Sequence, residues 1–136
     1  MTNIHSDELG RVLRDFVERM PHAYAAVVSS TDGLHKQSFG LSHPDHESKL
    51  SAVTSSMFSL GKGADQFFNA GTGTTRQVIY ELDGGLMFVT EAASHTLLSV
   101  LASHEANLGL IGYEMKMLGQ QVGRFLATAP RTASAS

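Results

Sequence analysis

The sequence predicts an α+β domain in which one five-stranded antiparallel sheet lies between helices, in the order α-β-β-α-β-β-β-α. Three observations carry this. Three strand-like segments follow the central helical segment with only short turns between them, which demands an antiparallel meander. Two segments, Ala23-Tyr24-Ala25-Ala26-Val27-Val28 and Leu97-Leu98-Ser99-Val100-Leu101-Ala102, are nearly continuously apolar. A strand with one wet face alternates, so these read as central strands covered on both sides. Three amphipathic helical segments are available to do the covering.

The elements follow in order. Helix one is expected to start at Ser6 as N-cap, with Asp7 and Glu8 in the positive first turn. Leu9, Val12, Leu13, Phe16, Val17 and Met20 keep helical spacing, and Pro21 ends the run. Ala23 to Ser30 and Leu34 to Gly40 make a hairpin around the Thr31-Asp32-Gly33 turn signal. His43-Pro44-Asp45 opens helix two, which reaches Phe68 or Asn69 before Gly71-Thr72-Gly73. Strands at Thr75 to Leu82, Leu86 to Ala93 and Thr96 to Ala102 complete the meander, and a last helix runs from Asn107 to Ala127. The expected domain is therefore a single one over 6–128, with flexible tails at 1–5 and 129–136.

Composition excludes several functions. The 136 residues contain no cysteine, so neither disulfides nor cysteine metal sites arise, which suits the cytoplasm. A net charge of −3 is not the basic footprint of a nucleic-acid binder. No apolar run approaches the roughly 20 residues needed to span a bilayer, and the first residues lack the pattern of a signal peptide. The expectation is a cytoplasmic protein with no nucleic-acid partner and no membrane insertion.

Chemistry is equally sparse. His43, Asp45 and His46 form the best of the histidine clusters, but zinc needs a third or fourth convergent ligand. Gly61-Lys62-Gly63 is no phosphate loop, since Ser or Thr does not follow the lysine and the earlier glycine is missing. No Gly-x-Ser-x-Gly elbow occurs. The reading is of a non-enzyme with no cofactor, no metal and no catalytic residue.

The helices instead suggest contact surfaces. On a wheel of 100° per residue, Leu50, Val53, Met57, Leu60, Ala64, Phe67 and Phe68 of helix two share one face, expected to pack on the sheet. Roughly opposite lie Ala52, Ser56, Ser59 and Gly63, a small and uncharged face where Lys and Glu are usual. Serine and glycine cost helix propensity, and close approach of another backbone would justify that cost. In the last helix Leu108, Ile111, Met115, Leu118, Val122 and Leu126 form the core stripe, and Gly109, Gly112, Gly119 and Gly123 lie along one flank. Leu110, Tyr113 and Met117 face the far side as a possible second contact stripe.

Several segments together resemble the bacterial roadblock family. They are Ala26 to Leu34 in the first hairpin, Asp83-Gly84-Gly85-Leu86-Met87-Phe88-Val89-Thr90 with Leu97 to Leu101 in the meander, and Ala106 to Met115 at the start of the last helix. The similarity runs from about Leu9 to Leu126 and is nearest to the actinobacterial type, encoded beside a sensor kinase, a small partner protein and a Ras-like GTPase. It implies a roadblock/profilin-like sheet with helix two on one face and helices one and three on the other. It also implies a homodimer in which edge strands pair and central helices lie side by side. That assigns the dimer interface to Ala52, Ser56, Ser59 and Gly63, with Val78 and Tyr80 on the edge strand.

The function implied is that of a non-enzymatic dimeric regulator or binding partner of a small Ras-like GTPase, with a sensor kinase as a further partner. The GTPase is expected on the platform of the central helices, at Lys49, Ser55, Lys62 and Gln66. Arg76 and Arg124 are available but not marked as an arginine finger. Two alternatives belong to other classes. One is a small-molecule sensor, with Met57, Phe58, Met87 and Phe88 lining a pocket. The other is a scaffold domain of a kinase-linked complex.

Overall fold

The computed structural model describes residues 4–127, with side chains from Ser6 onward. Its elements are α1 (Ile4–Arg19), β1 (Ala23–Ser30), β2 (His35–Phe39), α2 (His46–Asp65), β3 (Val78–Leu82), β4 (Gly85–Ala93), β5 (Thr96–Ala102) and α3 (Leu108–Ala127). The expected order of elements is the observed one. The sheet order is β2-β1-β5-β4-β3, all neighbours antiparallel. The two continuously apolar segments, β1 and β5, are indeed interior strands, and β3 is an edge.

The sheet separates two apolar layers of unequal size. On one face Leu13 and Phe16 of α1 and Ile111, Met115, Leu118 and Val122 of α3 pack on Ala26, Val28, Phe88, Leu98 and Val100. On the other face Met57 and Phe58 of α2 meet Met87, Val89 and Leu97, with Leu50, Val78, Tyr80 and Leu101 partly buried around them. The four residues of the alternative sensor pocket therefore do not converge and are core instead. Phe88 belongs to the first layer and the other three to the second, because adjacent strand residues point to opposite faces.

Several boundaries move for identifiable reasons. Helix α1 starts at Ile4, within the expected tail, so Ser6 is not its cap; instead the Ser6 carbonyl and hydroxyl both accept from Gln37 Nε2, at 2.9 and 3.0 Å. The remainder of the tail expectation falls on 1–3 and 128–136, outside the described residues. Asp45 does flank α2 but makes no capping bond, and its carboxylate takes Lys49 Nζ at 3.2 Å instead. β3 is shorter than the expected Thr75 to Leu82. Thr75 is buried near the Phe58 carbonyl, and the Arg76 carbonyl accepts from the Thr90 hydroxyl at 2.9 Å, so this stretch leaves the ladder. α3 starts at Leu108, one residue after the expected Asn107, which instead caps it: Asn107 Oδ1 accepts the Leu110 N–H at 2.9 Å.

The glycines of α3 meet a neighbour closely. A Cβ on Gly123 would stand 2.9 Å from the Ala92 carbonyl oxygen, and one on Gly119 would stand 3.6 Å from the Ala92 Cα. Both glycines let α3 lie directly on the end of β4. Leu108, assigned to the core stripe, is half exposed one turn before Ile111.

Candidate functional site

Helix α2 carries the main surprise. The residues it buries are Ser51, Thr54, Met57 and Phe58. The apolar stripe expected to pack on the sheet is mostly turned outward: Val53 is 47 % exposed, Leu60 66 %, Phe67 82 % and Phe68 70 %. Of that stripe only Leu50 and Met57 contribute to the layer beneath. The small residues Ala52, Ser56, Ser59 and Gly63 are exposed as well, and a Cβ on Gly63 would meet nothing within 4 Å. The outer surface of α2 thus joins a small-residue strip to an apolar one. Lys49 and Lys62 are the cationic residues along it.

Contacts fix which flank of the helix is which. Gly61 sits against Thr75 and Val78, and Ala64 and Phe68 border an open hollow with Thr72, Arg76 and Ile79, so this flank looks toward β3. On the other flank the Ser55 hydroxyl donates to the Thr31 carbonyl, and Gly33 approaches the Ala52 Cα at a would-be Cβ distance of 3.6 Å. Ser59 and Lys62 share a shallow cleft there with Thr31, Ser94 and His95. The N-terminal end is held by Glu47, whose carboxylate accepts from the Ser38 hydroxyl at 3.0 Å and lies 3.3 Å from His35 Nε2.

The four expected GTPase contacts are consequently not one patch. Ser55 and Lys62 lie on the flank of the β1–β2 turn, with Ser55 engaged internally and the Lys62 ammonium 5.2 Å from the Phe58 ring centroid. Lys49 is paired with Asp45 one turn before it, at the start of the helix, and Gln66 is the C-cap. Val78 and Tyr80 of the expected dimer edge are half buried, flanking the exposed Ile79 on β3. On the opposite side of the sheet Leu110 and Tyr113 are exposed and Met117 is half buried.

The surface offers little for chemistry. The His43 and His46 rings meet edge to face at 4.9 Å, and among the described residues no three His, Asp or Glu side chains group to hold a metal ion. No described helix is long and apolar enough to cross a membrane. What the geometry provides is an exposed, weakly charged helix surface beside a free strand edge.

Comparison with known proteins gives this surface a setting. The model of the Roadblock/LC7 domain matches residues 10–102. The chain belongs to the Roadblock/LC7 family. A Roadblock/LC7 domain from Streptomyces avermitilis is 43 % identical, with a TM-score of 0.80 over 88 % of this chain and 98 % of that one. The gliding protein MglB of Thermus thermophilus shares the fold at 15 % identity, with a TM-score of 0.81 over 95 % of this chain and 96 % of that one. MglB of Myxococcus xanthus, also 15 % identical, gives 0.74 over 90 % and 97 %. No curated protein matches the sequence. In this Roadblock/LC7 chain α2 is, among the described helices, the one on its face of the sheet, and its outward apolar residues are the stripe that the wheel located but assigned to the sheet.

Proposed function

We propose that this chain is a cytoplasmic, non-enzymatic homodimer that binds and regulates a small Ras-like GTPase of a bacterial signalling system. The observation that carries the reading is the outer surface of α2, which leaves Val53, Leu60 and Phe67 in solvent in a Roadblock/LC7 chain. Burying apolar surface of this kind stabilises association at roughly 25 cal/mol per Å² of area removed from water. The dimer is closed through the β3 edge, with Val78 and Tyr80, and through the outward apolar stripe of α2, where Ser56 and Gly63 let the helices approach; Ala52 and Ser59, expected in the same interface, stand on the flank of the β1–β2 turn. Pairing also satisfies the free N–H and C=O groups of the edge strand.

The GTPase rests on the platform made by the two α2 helices, contacting Lys49, Ser55, Lys62 and Gln66. Regulation follows from differential affinity for the two nucleotide states, since a partner shifts a switch only by the free energy that separates its two affinities. A sensor kinase is a further partner in the same system. The deciding experiment is capture of small Ras-like GTPases from the same organism, each loaded with GDP or with a non-hydrolysable GTP analogue. Nucleotide-dependent capture is expected. Equal capture in both states would support a scaffold instead, and no capture at all would sink the reading.

A further inference from the structure

Two features on the α2 side of the sheet are left uncovered by the described residues. Phe67 and Phe68, in the hydrogen-bonded turn just past the end of α2, are the most exposed of the large apolar side chains described. At the far end of the same face Tyr24, Leu50, Leu82, Met87 and Leu101 line an open apolar hollow. An exposed aromatic pair and an apolar hollow are complementary in chemistry, and they lie at opposite ends of one helix.

The direction of α2 relative to β3 brings them together across a dimer. Gly61, near the C-terminal end of α2, packs at Thr75 and Val78, where β3 begins. Leu50, near the N-terminal end, shares the hollow with Leu82, where β3 finishes. Helix and strand therefore run in opposite directions. Pairing β3 antiparallel with the β3 of a second copy sets the start of one strand beside the finish of the other. The C-terminal end of each α2 is thereby carried to the hollow of the other copy. One two-fold operation fills both hollows, which a head-to-tail contact would not do.

We propose, resting on the homodimer reading above, that the Phe67–Phe68 pair of each protomer seats over the hollow of its partner. The seam between the helices is then the β3-facing stripe of Val53 and Leu60. Ala52 and Ser59 stand on the flank of the β1–β2 turn, away from β3, and stay uncovered for a third chain. With the two-fold near the middle of β3, Leu60 of one protomer lies against Val53 of the other.

The test compares dimer dissociation constants of the full chain by sedimentation equilibrium. Phe67→Ala with Phe68→Ala is expected to weaken the dimer roughly a hundredfold, since each truncation acts twice in a two-fold interface and aromatic anchors dominate such energies. Ser59→Arg is expected to leave the constant within about twofold, as a rim substitution. The Phe pair is exposed in the monomer, so circular dichroism of the double variant should match the parent. Because the chain has no cysteine, Phe68→Cys protomers mixed with Leu82→Cys protomers give a clean second readout with a short bismaleimide linker. A covalent heterodimer is expected there, and none from Ser59→Cys with Leu82→Cys. If Ser59→Arg dissociates the dimer and the Phe variant does not, the plug is wrong while the dimer stands. A wild-type chain that sediments as a monomer at high micromolar concentration overturns the dimer reading itself.

Discussion

Thr54→Val should make this protein more stable, although it removes a polar group from a helix that is otherwise rich in serine. Thr54 is fully buried on the sheet-facing side of α2, and its hydroxyl has no hydrogen-bond partner among the described residues. Burying a hydroxyl without a partner costs about 1–3 kcal/mol by mutational measures. Valine keeps the β-branched shape and nearly the volume, so no cavity opens, and its helix propensity is close to that of threonine. The expected gain is about 1–2 kcal/mol, or roughly 3–8 °C in Tm for a domain of this size. Urea unfolding followed by circular dichroism, at one fixed protein concentration because association raises apparent stability, should show a higher midpoint with an unchanged slope. Ser29→Ala and Ser99→Ala remove the two other unpartnered buried hydroxyls, but each also deletes an atom, so each should gain less. A Thr54→Val protein no more stable than the parent would refute the argument, because it would mean that water satisfies the hydroxyl in solution.

Other expectations follow from local geometry. Gly123→Ala should destabilise, since its Cβ would strike the Ala92 carbonyl, whereas Gly109→Ala, which meets only Asn107 Oδ1 at 3.5 Å, should gain about 0.5 kcal/mol in a thermal melt. His95 occupies φ 62 in the β4–β5 turn, so His95→Gly should relieve strain and stabilise by about 0.5–1 kcal/mol; a loss of stability would show that its side chain does more than tolerate the turn. If the proposed complex forms, Lys49→Glu with Lys62→Glu should leave the mass of the free protein unaltered and slow association with the GTPase in stopped flow, while flattening its salt dependence.

The sheet was legible because its signals are local. The continuous apolar runs of β1 and β5 could only be interior strands, and the turn residues between β3, β4 and β5 leave no room for crossovers. α1 was legible for the same reason, with Leu13 and Phe16 at the centre of an unambiguous stripe. α2 was not. Its periodicity located the apolar stripe, but periodicity does not say whether a stripe faces the sheet of its own chain or another molecule. Ser51 and Thr54 belonged to neither of the faces the wheel singled out and are in fact buried, because the helix lies close over β1, where small side chains fit. The contacts proposed for the GTPase split for a related reason. A wheel cannot show that the Ser55 hydroxyl is already held by the Thr31 carbonyl from a turn more than twenty residues earlier.

The two layers on either side of the sheet also imply two different thermal schedules. The α1–α3 side locks its helices with large, fully buried side chains, whereas α2 rests on a thinner apolar layer with orphan hydroxyls beneath it. Local openings draw on the regions with the fewest buried apolar contacts. Amide protons of α2 should therefore exchange with deuterium through a sub-global event that leaves α1, α3 and the central strands protected. Whatever covers the outer surface of α2 would close that opening. A partner that recognises this helix would then be felt through the protection of its amides, even where no backbone atom changes position.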